Sequence, residues 1–82
     1  MKLFLISQHQ NTGYDTYDEA VVAAPDEETA RRMHPYDGTL IEVWADPYQV
    51  WCSAPEHVVV RYIGEAAPGI EQGVVCASFN AG

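Results

Sequence analysis

The sequence predicts an α+β fold: a single small domain, residues 1–82, with a mostly antiparallel five-stranded sheet and one short helix in the order β-β-α-β-β-β. Three observations predict it. Short apolar runs with period-two alternation recur between turn signals. Only the stretch from Asp26 to His34 carries helix-terminus chemistry at both ends. At 82 residues, 48% hydrophobic and 20% charged, the chain has the composition of a packed globule and neither a repeat nor a linker to divide it.

Lys2 to Gln8 reads as the first strand, with Leu3 and Leu5 on one face and Phe4 and Ile6 on the other. Apolar residues on both faces predict a central position. His9 to Thr16 is polar and contains the turn signal Asn11-Thr12-Gly13, so it joins a hairpin. In the second strand, Tyr17 to Ala24, alternation puts Ala20, Val22 and Ala24 on one face and Tyr17, Glu19 and Val21 on the other. The helix follows at once. Asp26 is its N-cap, Glu27 and Glu28 match the positive end of the helix dipole, and Arg31, Arg32 and His34 match the negative end. Pro35 stops it after barely two turns, with Ala30 and Met33 facing the sheet.

Tyr36-Asp37-Gly38 is a turn, and Thr39 to Ala45 reads as a third strand, Ile41 and Val43 opposing Leu40, Glu42 and Trp44. From Asp46 to Glu56, Pro47 and Pro55 bracket Tyr48, Val50, Trp51 and Cys52, which fit either a single helical turn or a short irregular strand. His57 to Gly64 alternates cleanly, Val58, Val60 and Tyr62 against Val59, Arg61 and Ile63. A Pro- and Gly-bearing loop then leads to the last strand, Val74 to Phe79. So short a helix covers part of one face only, while Leu3, Leu5, Val21, Leu40, Trp44, Val59 and Ile63 populate the other. Either the sheet curls towards a barrel or that face meets a partner.

Twelve Asp and Glu against four Lys and Arg give a net charge of −8. Such a field repels nucleic acid and anionic membranes and attracts basic protein surfaces, so the expected partner is a basic protein, with no direct nucleic-acid and no membrane binding. The same charge keeps a small domain soluble and favours a monomer over a dimer. The apolar opening breaks off at Ser7, far short of the ~18 residues of a membrane span, and predicts a soluble, unexported protein. Cys52 and Cys76 have no CxxC spacing; they are expected as reduced thiols, a disulfide between them being the alternative.

No catalytic or cofactor site is expected. His9, His34 and His57 lack ligand-like spacing with each other or with the cysteines. The carboxylate pairs sit in a loop and a first helical turn, where solvation keeps them from acid–base work. What remains is acidity interleaved with aromatics. The residues predicted to bind a partner are Tyr14, Asp15, Tyr17, Asp18 and Glu19, then Asp26, Glu27 and Glu28, with Trp44 and Trp51 as anchors. Read blandly, the same residues are a solvated acidic edge and two core tryptophans.

The opening Met1-Lys-Leu-Phe-Leu-Ile-Ser-Gln8, the run Asn11-x-Gly13-Tyr-Asp-Thr-Tyr-Asp-x-Ala-Val-Val-Ala-Ala24, Glu28-x-Ala-Arg-x-x-His-Pro35, Ile63-Gly-x-Ala66 and the ending Gly73-Val-Val-x-Ala-Ser-Phe-Asn-Ala-Gly82 resemble small proteins encoded by bacteriophages and prophages. Some small, acidic, β-rich phage proteins are anti-CRISPR inhibitors, and the chain looks like one acting on a Cascade-type (type I) complex. That resemblance implies a non-enzymatic inhibitor in the bacterial cytoplasm, seated on a basic DNA-binding surface of a CRISPR effector subunit and excluding target DNA. Anti-CRISPR proteins share no motif, so no residue role carries over. The alternative is a phage structural or assembly protein that self-associates through the uncovered sheet face. An enzyme ranks third, and a pocket gathering His34 or His57 with a cysteine would revive it.

Overall fold

The computed structural model describes residues 1–44 and 50–81. The chain forms β1 (Lys2–Ser7), β2 (Thr16–Ala24), α1 (Glu27–Arg31), a 3-10 turn (Pro55–His57), β3 (Val59–Glu65) and β4 (Gly73–Asn80). All three strand pairings are antiparallel, in the order β3-β1-β2-β4. The twice-apolar β1 is central, as its composition predicts. β3 and β4 are the edges of an open sheet, so no barrel closes among the described residues.

Among the described residues four strands replace the expected five. Thr39 to Trp44, the described part of the predicted third strand, makes one bridge, Leu40 with Met33. The backbone explains why: the His34 N–H donates to Thr39 O at 2.8 Å and the Ile41 N–H to Arg32 O at 2.6 Å, which ties this segment to the end of α1 instead of to the sheet. Ile41 and Trp44, three residues apart, pack against the core, and Val43 is 78% exposed. The pairing of Ile41 with Val43 therefore fails. Ala45, Asp46, Pro47 and Tyr48 lie outside the described residues. In the next stretch the described residues Val50 to Ala54 form neither the helical turn nor the strand expected there, and a 3-10 turn follows at Pro55–His57, so that strand β3 starts at Val59 and not at His57.

The core lies on one face of the sheet. Phe4, Ile6, Ala20, Val22 and Ala24 supply it from the strands, Ala30 and Met33 from the helical side, and Trp51, Cys52 and Val58 from the segment that closes over them. Asp26 caps α1 by accepting the Thr29 N–H on Oδ1 at 2.7 Å. Five residues are too few for an autonomous helix, so α1 persists by burying Ala30 and by the Arg31 side chain, which donates to Val58 O. The opposite face carries half-buried Leu3, Leu5 and Val21 and stays open at Val59, Ile63 and Cys76. Both cysteines are free thiols.

Candidate functional site

The acidic residues of interest divide between the two ends of β2. Its nine residues at a rise of ~3.3 Å each put the strand's ends about 26 Å apart, and about 17 Å of that lies between Glu19 and Ala24. Asp15, Asp18 and Glu19 lie at the turn end, and Asp26, Glu27 and Glu28 at the helix end. They are one run in the sequence and two patches on the molecule.

The turn end is held by a buried amide. Gln8, 1% exposed, donates through Nε2 to Asn11 O at 2.6 Å and Tyr17 O at 2.9 Å, and its Oε1 accepts the N–H groups of Gln10 and Asn11. All four of its hydrogen-bonding positions are used. Thr16 Oγ1 donates to Gly13 O at 2.6 Å, and the Asp15 N–H donates to Asn80 O at the end of β4. Asp15 adopts φ 58°, a left-handed conformation that aspartate tolerates better than most residues. Tyr14, 78% exposed, and Asp15 thus project from a pinned turn. Glu19 stands on the open face, opposite Ser7 on one side and Ser78 on the other.

Alternation placed Tyr17 on the face of Glu19 and Val21; the structure corrects this. The β2–β4 register shifts between Tyr17 and Glu19, so Asp18 is the extra residue of a bulge. One extra residue reverses the facing of everything before it. Tyr17 consequently packs against the core cluster, its ring 4.7 Å from that of Phe79.

Beside that ring pair lies an open cleft of about 600 Å³ lined by Tyr17, His34, Tyr36, Asp37, Thr39, Val50 and Phe79. The Tyr36 N–H donates to His34 Nδ1 at 3.1 Å, and Thr39 donates to Asp37 Oδ1 through its N–H at 3.0 Å and its hydroxyl at 2.8 Å. Those two bonds hold the Asp37 carboxyl below its ordinary pKa, so it is ionised. Burial, then the neighbouring Tyr36 and Asp37, push the Tyr17 phenol up, so it keeps its proton. Among the described residues no cysteine lines this cleft. Cys52 is buried, and desolvation raises its thiol pKa, which removes it as a nucleophile at neutral pH.

At the helix end, charge is partly answered. Glu27 pairs with Arg31 at 3.5 Å, and Lys2 lies close enough to Asp26 to lower its pKa, after the larger effect of the bonds from Thr29. Among the described residues no ion pair involves Asp15, Asp18 or Glu19. The predicted anchors fare differently from the acids. Trp51 is 3% exposed, so it is a core residue and not an anchor; Trp44 is half-buried against the core. The sequence reading missed Tyr36, Asp37 and Phe79, which come from a turn and from the far end of β4. The only sequence signal for them was the acidic, aromatic Tyr36-Asp37 pair itself.

No family model, no curated protein and no solved structure matches the chain. No helix among the described residues is long and apolar enough to cross a membrane.

Proposed function

We propose that the chain is a non-enzymatic binder of a basic protein surface: an anti-CRISPR-like phage protein that occupies the DNA-binding surface of a type I effector complex. One observation carries the reading. Eleven of the twelve Asp and Glu are among the described residues, and all eleven are exposed. None is buried in the fold, so nearly all the acidity that gives the net charge of −8 is presented outward. Carboxylates spaced on a rigid sheet pair with the Arg and Lys that otherwise hold phosphates, and the field speeds encounter with such a surface. The turn end is the better contact, because among the described residues its carboxylates have no ion-pair partner to displace.

The test is target-DNA binding by a purified type I complex as the chain is titrated in. Displacement of DNA is expected, weakening as salt rises through one Debye length of screening, from about 30 Å at 0.01 M to about 8 Å at 0.15 M. DNA binding that is untouched at saturating chain, or an inhibition indifferent to salt, overturns the proposal.

The open sheet face favours a second reading, self-association in a phage assembly. Val59 and Ile63 are 56% and 47% exposed there beside Leu3, Leu5 and Val21. A stable oligomer at micromolar concentration by sedimentation would support it, and a monomer at that concentration would dismiss it.

A further inference from the structure

We infer that the cleft between Tyr17, Tyr36, Asp37 and Phe79 receives a guanidinium, delivered as an arginine side chain of the basic partner; this rests on the binding function proposed above. Its volume of about 600 Å³ falls inside the range of ~300–1,000 Å³ that holds small ligands. Three aromatic side chains, Tyr17, Tyr36 and Phe79, are among those that line it. Tyr17 and Phe79 meet at 57°, and neither Tyr36, 73% exposed, nor Phe79, 43% exposed, is consumed by the core.

The charge comes from Asp37. Both bonds from Thr39 fall on Oδ1, which fixes the carboxylate and leaves Oδ2 without a bond from Thr39. An ionised carboxylate beside exposed aromatic faces is the arrangement that recognises an organic cation. An anion would be repelled here by Asp37 and by the field of the whole chain, and a neutral aromatic ligand would desolvate the carboxylate without pairing it. Between the two protein cations, the planar guanidinium fits better. It stacks on ring faces, is more weakly hydrated than an ammonium, and has five N–H donors for oxygens such as Asp37 Oδ2 and the Tyr17 and Tyr36 hydroxyls. An ammonium has only three donors and no flat face.

The cleft also adjoins the turn end of β2 through Tyr17, next to the bulge at Asp18. Arginine capture there would join Asp15, Asp18 and Glu19 in one contact surface, steering by the acids and retention by the cleft.

The experiment titrates N-acetyl-arginine methylamide, and separately its lysine counterpart, into the isotopically labelled chain and follows Tyr17, Thr39 and Phe79 by NMR. Saturable shifts at millimolar arginine analogue are expected, with the lysine analogue about tenfold weaker. Asp37→Asn should weaken arginine binding by about tenfold or more without disturbing the turn, because an amide oxygen still accepts both bonds from Thr39. No shifts at all, equal affinity for the two analogues, or full binding by Asp37→Asn overturns the inference. The DNA-displacement assay separates it from the reading beneath it. A wild-type chain that binds the arginine analogue but never displaces DNA keeps the cleft and overturns the partner. Asp37→Asn that displaces DNA as well as wild type keeps the partner and overturns the cleft.

Discussion

The two ends of β2 carry the same chemistry, a cluster of three carboxylates, and use it differently. At the helix end, Asp26 caps α1, Glu27 pairs with Arg31, and Lys2 sits within range of Asp26. Asp26 and Glu27 are thus engaged in folding. At the turn end, Asp15, Asp18 and Glu19 are displayed by a scaffold that does not depend on their charge: Gln8 saturated by backbone groups, Thr16 bonded to Gly13, and Asp15 held by its main chain. Acidity alone therefore does not mark a binding surface. Under the binding function proposed above, the contact is expected where the described residues leave acidity without an ion pair.

Charge reversal should separate the ends most sharply. Asp15→Asn, Asp18→Lys and Glu19→Lys together should weaken displacement of DNA from the effector complex by about 30-fold or more, the scale of breaking close charge pairs at an interface, with the melting temperature little changed, because asparagine also tolerates the left-handed conformation at position 15. Asp26→Lys, Glu27→Lys and Glu28→Lys should show the reverse, a clear fall in melting temperature with a smaller effect on displacement. Equal effects of the two triples on binding would erase the distinction. Thermal melts and the displacement assay on both variants measure it.

Next in size is the scaffold of the turn end. Gln8→Ala removes a 1% exposed amide and strands the Tyr17 and Asn11 carbonyls and two loop N–H groups. Unfolding in urea should show a loss of about 1–3 kcal/mol, the cost of buried polar groups left unpaired. A loss no larger than that of an ordinary surface substitution, about 0.5 kcal/mol, would mean that Gln8 does not hold the turn.

The same contrast explains how far the sequence could be read. The helix end was legible because capping, dipole matching and Pro35 are all local signals within ten residues of one another. β1, β2, β3 and β4 were legible because alternation is local too. The failures are all of longer range. A single bulge at Asp18 turned Tyr17 inward, and nothing in a period-two pattern announces an inserted residue. The segment after Gly38 has the composition of a strand, yet its backbone bonds go to Arg32 and His34 and its Ile41 and Trp44 close over the core. Trp51 looked like an anchor and is buried, because a domain this small fills its core with whatever large side chain the covering segment supplies. The cleft brings Tyr17 against Phe79 across 62 positions of sequence, and only the β2–β4 pairing makes them neighbours.

The smallest effect expected is in acid, and it compares the two ends through one titration. Asp26 at the helix end and Asp37 beside the turn end both have pKa values lowered chiefly by bonds donated from the residue two or three positions on. A carboxyl whose folded pKa lies below its unfolded value of about 3.9 contributes stability that is fully present above that value and disappears as pH falls through the folded one. The wild-type chain should therefore lose stability as the pH is taken down through 4, with Asp26 and Asp37 each contributing part of the slope. Asparagine keeps the accepting oxygen at either position without the charge and without titrating, so Asp26→Asn and Asp37→Asn should each be slightly less stable than wild type at pH 7 and each flatten the acid limb. Urea midpoints measured from pH 7 to pH 2.5 give the slopes. If Asp26→Asn flattens the limb and Asp37→Asn does not, the turn-end carboxylate is less tightly held by Thr39 than its two bonds indicate, and the cleft loses the fixed charge on which arginine capture depends.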